Sequence, residues 1–71
     1  DSYRPDRMMF SHDGQKAVVV DYKFGSHRDG QYRSQVRGYM DLLGQMGYRE
    51  VEGWLWYGED GVEEVGQSAG K

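Results

Sequence analysis

The order of apolar and polar residues changes its period twice along this chain. Arg7-Met8-Met9-Phe10 is a short, mostly apolar run, and Lys16-Ala17-Val18-Val19-Val20-Asp21-Tyr22-Lys23 is longer and rich in β-branched residues. Ser11-His12-Asp13-Gly14 lies between them with an Asp-Gly turn signal. The two runs are predicted to form a hairpin closed by a loop of about four residues. On the second strand Val18, Val20 and Tyr22 share one face; Ala17, Val19, Asp21 and Lys23 share the other. Both faces begin apolar, as in a strand internal to a sheet.

After the polar, glycine-bounded stretch Phe24-Gly25-Ser26-His27-Arg28-Asp29-Gly30 the period becomes helical. Tyr32, Val36, Tyr39, Met40, Leu43 and Met46 recur at three- and four-residue steps. Asp29 is placed to cap the helix at its start, and Gly47 to end it in a left-handed conformation. Gly38 and Gly44 fall inside the pattern, where each costs about 1 kcal/mol relative to Ala or marks a close backbone approach. Glu50-Val51-Glu52-Gly53-Trp54-Leu55-Trp56-Tyr57 is the third strand, with both tryptophans on one face. Gly58-Glu59-Asp60-Gly61 is a turn, Val62–Val65 a short return strand with Glu63 and Glu64 suited to an edge, and residues 66–71 a flexible tail.

Strand, helix, strand over residues 16–57 is the spacing of a right-handed crossover. The predicted fold is therefore α/β: a mixed sheet made of a hairpin, a crossover helix, a parallel strand and an edge strand. One helix covers one face and leaves the other open. With ten aromatic residues among 71, a domain this small gains much of its burial from rings. An open sheet face beside Trp54 and Trp56 predicts self-association of the isolated chain.

Composition narrows the chemistry. Cysteine is absent, so disulfides, thiolate metal sites and cysteine nucleophiles are excluded. The longest uncharged apolar stretch, Ala17–Val20, falls far short of the roughly 20 residues of a bilayer helix, and a cytoplasmic setting is expected. His12 and His27 lack ligand spacing. The net charge of −3 is unevenly spread: residues 1–37 hold seven Lys/Arg against five Asp/Glu, and residues 38–71 hold two against seven. Such a split marks a polyanion-facing side and a solvated side.

The chemistry gathers around three residues. Asp21 and Lys23, two apart on a strand, project side by side roughly 7 Å apart at Cα. Asp6 opens the partner strand and reaches the same sheet end. Two carboxylates with a backbone carbonyl and waters make the oxygen site that Mg²⁺ takes, and an adjacent lysine offsets charge on a phosphoryl group. The competing reading of Asp21 and Lys23 is an ordinary exposed ion pair on a strand, worth about 0–1 kcal/mol.

Pro5-Asp6, followed by Asp21-Tyr22-Lys23, resembles the PD-(D/E)XK nuclease signature. The form Arg4-Pro5-Asp6-Arg7 with Val19-Val20-Asp21-Tyr22-Lys23-Phe24-Gly25 is similar to the RecB-like branch, found as the C-terminal nuclease domain of UvrD/Rep-type helicases. That branch carries a downstream Q-x-x-x-Y, matched by Gln35-Val36-Arg37-Gly38-Tyr39, and the resemblance spans nearly all of residues 4–65. It implies a partial restriction-endonuclease-like core over residues 1–65. It further implies Asp6, Asp21 and the Tyr22 main-chain carbonyl as ligands of Mg²⁺ or Mn²⁺. Lys23 would position the attacking water, with Gln35 and Tyr39 beside the site. The implied activity is hydrolysis of DNA phosphodiesters, as an exonuclease in preference to an endonuclease, within a helicase–nuclease of repair or recombination. Arg28, Arg33 and Arg37 are candidate DNA contacts, and the implied partners are DNA and the rest of a parent helicase–nuclease chain. Two departures stand out. The helix that supplies a further Glu or His upstream of the PD motif is missing from the sequence, and Phe24 stands where Thr is usual. The alternatives are a nuclease-derived module that binds DNA or protein without cutting, and a structural α/β domain that assembles through its aromatic strand.

Overall fold

A computed structural model describes residues 4–23 and 30–69. They form a four-stranded sheet in the order β1-β2-β3-β4 with one helix. Strands β1 (Arg7–Phe10) and β2 (Lys16–Tyr22) are the antiparallel hairpin, with Arg7 opposite Val20 and Phe10 opposite Ala17. The hairpin loop is built on Ser11 and Asp13. Ser11 Oγ donates to Asp13 Oδ1 at 2.6 Å and accepts from the Lys16 amide at 3.0 Å, while Gly14 takes φ 73°. Short polar side chains that mimic backbone partners make such a turn, and glycine supplies the positive φ.

Helix α1 (Gly30–Gln45) crosses over to β3 (Glu50–Trp56), which pairs parallel with β2 from Lys16 opposite Glu50 to Tyr22 opposite Trp56. Gly47, at φ 112°, turns the chain out of the helix, and the Tyr48 amide reaches back to the Leu43 carbonyl at 3.3 Å. That is the glycine-ended helix the sequence predicts. The expected N-cap, Asp29, lies outside the described residues. The amides of Arg49 and Glu50 both donate to the Gln15 carbonyl, at 2.8 and 3.0 Å, and lock the start of β3 to the end of the hairpin loop.

The sheet face under the helix forms the core. Ala17, Val19, Val51, Leu55, Tyr57 and Val65 pack against Val36, Met40 and Leu43, with Tyr32, Tyr39 and Tyr48 at its margin. Gly38 and Gly44 have open space where a Cβ would stand, so neither marks a close approach. The close approach is at Gly53 on β3: a Cβ there would lie 2.7 Å from Val36 Cγ1 and nearer still to Met40 Sδ. Gly53→Ala is expected to lower stability by about 1–3 kcal/mol through overpacking, read as a shift in the urea midpoint at unchanged slope.

Strand β4 (Val62–Ala69) returns antiparallel to β3 after a short 3₁₀ turn, Gly58–Asp60. It is longer than the polarity of its residues suggests, because the segment expected as a tail from Gly66 pairs through its main chain as far as Ala69 opposite Glu50. The register slips between Gly53 and Trp54, whose partners are Gly66 and Glu64, and Val65 is the extra residue. Such a bulge frees a carbonyl from the ladder. Arg37 Nη2 donates to the Val65 carbonyl at 2.8 Å, Arg33 Nη2 approaches it at 3.4 Å, and Arg33 Nη1 pairs with Glu63.

The opposite face has no helix on it among the described residues. Arg7, Met9, Val18, Val20, Tyr22, Trp54, Trp56 and Val62 line a shallow apolar groove of about 380 Å³ there. Met9, Tyr22, Trp56 and Val62 remain exposed. No helix among the described residues is long and apolar enough to cross a membrane.

Candidate active site

The hairpin register explains how the acidic residues meet. Arg7 stands opposite Val20, so one step further brings Asp6 alongside Asp21. Pro5, which is buried, anchors the approach of the chain to that point. Asp6 Oδ2 accepts a hydrogen bond from the Tyr22 amide at 2.9 Å. The Asp6 side chain stands beside that of Asp21, its cross-strand neighbour.

Asp21 is the one buried charged side chain of the described core, 3% exposed. It lies on the helix-covered face because it follows Ala17 and Val19 at strand spacing. Lys23 continues that row. Its backbone amide donates to the Trp56 carbonyl at 2.8 Å, which carries the β2–β3 ladder one residue beyond Tyr22. Its ammonium lies 3.1 Å from Asp21 Oδ2 and 4.5 Å from the centre of the Tyr32 ring.

Asp21 Oδ2 is buried and receives no hydrogen bond among the described residues. The Lys23 ammonium therefore meets it as a neighbouring charge and not as an aligned donor. A buried carboxylate oxygen left in this state has unused capacity for a cation. Around Asp6, the side-chain contact with Asp21 comes first, then the Tyr22 amide. With the Lys23 charge they hold its carboxyl below the usual carboxylate range, against an opposing effect of burial. A divalent cation between the pair would relieve the repulsion of two neighbouring carboxylates.

The sign of the Asp6 shift fixes a pH dependence. A carboxyl whose folded value is depressed stabilises the fold above its unfolded value, and this contribution disappears as pH falls through the folded value. Acid unfolding followed by tryptophan fluorescence should therefore steepen below about pH 4. Asp6→Asn should weaken that acid limb.

Among the described residues no three His, Asp or Glu side chains converge as a ready-made metal cluster. The pair of carboxyls still fits the group the sequence points to, since Mg²⁺ is commonly held by one or two carboxylates and keeps several waters. The buried Asp21 oxygen, which has an ion pair but no hydrogen bond among the described residues, and the neighbouring carboxyl of Asp6 are the features that fit.

The remaining candidates divide. Gln35 and Tyr39 lie on consecutive turns of α1, both half-buried, with Tyr39 packed against the core. The bonds that assemble the acidic site run through Asp6, Asp21, Tyr22 and Lys23. Arg33 and Arg37 are engaged by the β4 bulge and Glu63. Arg28 and Phe24 lie outside the described residues. The contact that sequence reasoning missed is Tyr32, which the helical pattern marks only as one more apolar position. Its place over Lys23 depends on the rotation of α1 against the sheet.

Fold and site together define a small mixed α/β domain with a carboxylate pair and a lysine at one end of its sheet. Comparison with protein-family models, with curated proteins and with solved structures finds no match to this chain.

Proposed function

We propose that this chain is a RecB-like nuclease core that hydrolyses DNA phosphodiesters with Mg²⁺ or Mn²⁺, in the setting of a helicase–nuclease acting in repair or recombination. The observation that carries the reading is the meeting of Asp6, just before β1, with Asp21 and Lys23, at the end of β2, at one sheet end. Asp6, Asp21 and the Tyr22 carbonyl are the groups that would hold the metal. When bound, the ion supplies Lewis-acid polarisation of the phosphoryl oxygen and a more acidic water.

The geometry supports a part for the protein's own residues. Asp21 fixes the lysine ammonium through their ion pair, and Asp6 is fixed by the Tyr22 amide. Lys23 keeps N–H groups for an attacking water and for a phosphoryl oxygen, where it offsets the negative charge that grows in the transition state. Gln35 and Tyr39 are the helix residues assigned to orient the strand being cut. Arg28, Arg33 and Arg37 are assigned to its phosphates, with Arg33 and Arg37 exchanging β4 partners for DNA.

End-labelled linear DNA incubated with the chain tests the reading. Cleavage that needs Mg²⁺ or Mn²⁺, stops with EDTA and is lost in Asp21→Asn is expected. Intact DNA at every metal concentration would leave the second reading, a nuclease-derived module that binds DNA or protein without cutting.

The open sheet face is also where we place self-association of the chain, because exposed Met9, Trp56 and Val62 border one apolar groove. Sedimentation should show dimers or larger species at high micromolar concentration, and Trp56→Glu should return a monomer. A wild-type monomer under those conditions would overturn this assignment.

A further inference from the structure

We propose that Tyr32 is a positioning residue for Lys23, acting through its ring face; the inference rests on the nuclease reading of Asp6, Asp21 and Lys23. Lysine is a point charge on a flexible four-carbon stem, with large rotamer freedom. A group that must meet a phosphoryl oxygen gains rate by being held in place before the substrate arrives. At this sheet end the Lys23 backbone is pinned by the Trp56 carbonyl. Its ammonium is then held between two attractions: Asp21 Oδ2 at 3.1 Å and the Tyr32 ring at 4.5 Å from its centre.

The two attractions differ in what they consume. A carboxylate oxygen has lone pairs that can take up an N–H group of the ammonium. A ring face attracts the cation through its quadrupole and offers no lone pair. Tyr32 therefore restrains Lys23 without competing for the N–H groups that a water or phosphate oxygen requires. The ring itself is well placed to do so, since Tyr32 is half-buried and packs against the core from the first turns of α1. Asp21 alone would leave the ammonium free to swing about its buried partner, 23% of the lysine side chain being open to solvent.

The test compares Tyr32→Phe with Tyr32→Leu. Phenylalanine keeps the ring face, so Y32F should retain kcat within roughly twofold. Y32L should lose roughly 3- to 30-fold in kcat with KM little changed, and Lys23→Ala/Tyr32→Leu should be no slower than Lys23→Ala alone. In the proton spectrum of the wild type, the Lys23 Cε protons should lie upfield of their position in an unstructured chain, stay there in Y32F and return in Y32L. A purely structural role for Tyr32 would not make its effect vanish when Lys23 is absent. Wild-type cleavage with Y32L equally active would overturn the role of Tyr32 alone, and so would unshifted Lys23 protons in the wild type, a result that needs no variant to fold. A wild type that cuts no DNA yet shows shifted Lys23 protons would overturn the nuclease reading, and the catalytic role of Tyr32 with it, while leaving the contact standing.

Discussion

If the chain is the nuclease proposed above, replacing Lys23 by alanine is expected to lower DNA cleavage about 10²–10³-fold while leaving DNA affinity nearly unchanged. The difference arises from where the charge acts. In binding, one lysine adds a single phosphate-level contact to an interface of several, so its loss is a modest change and flattens the salt dependence by about one unit. In the transition state the ammonium faces concentrated negative charge in a partly dry corner, where removing one donor costs on the order of 3–4 kcal/mol. Pre-steady-state cleavage and filter binding on the same preparation check both halves. Cleavage by Lys23→Ala at the wild-type rate, in material free of contaminating nuclease, would remove Lys23 from the mechanism.

The second large effect concerns Asp21. At a metal concentration roughly ten times Kd, a ligand that binds only the folded chain stabilises it by about 1.4 kcal/mol. For a domain of this size that is a rise of roughly 6–11 °C in Tm. Relief of the repulsion between Asp6 and Asp21 acts in the same direction. Asp21→Asn should melt at one temperature with or without metal. It should also free the Lys23 ammonium, which pairs with Asp21 at 3.1 Å.

Much of this arrangement was legible in the residues. The hairpin, the crossover and the parallel third strand follow from period and turn chemistry. The meeting of Asp6 with Asp21 follows from hairpin register alone, because strand pairing has a fixed repeat. The helix end at Gly47 was equally clear, since a left-handed position calls for glycine.

What stayed hidden depends on tertiary fit. The sequence cannot say which glycine meets a neighbour, and it is Gly53, under Met40 and Val36, instead of Gly38 or Gly44. It does not reveal the bulge at Val65 either, since a bulge is a disagreement between two strands. Without the bulge, Arg33 and Arg37 read as a solvated or phosphate-facing helix stripe; with it, they have a carbonyl to hold. The length of β4 was hidden for a related reason, since residues 66–69 pair through main-chain groups, which do not depend on side-chain type. Tyr32 is the same kind of case, because the angle of α1 over the sheet decides whether its ring meets Lys23 or only the core.

The central claim is that Asp6 and Asp21 together hold a divalent metal beside Lys23, and calorimetric titration of Mn²⁺ into the chain tests it most directly. The account predicts saturable binding in the wild type that is lost in both Asp6→Asn and Asp21→Asn and persists in Lys23→Ala. Binding of equal strength in the two aspartate variants, or no binding by a folded wild type at millimolar Mn²⁺, would contradict it.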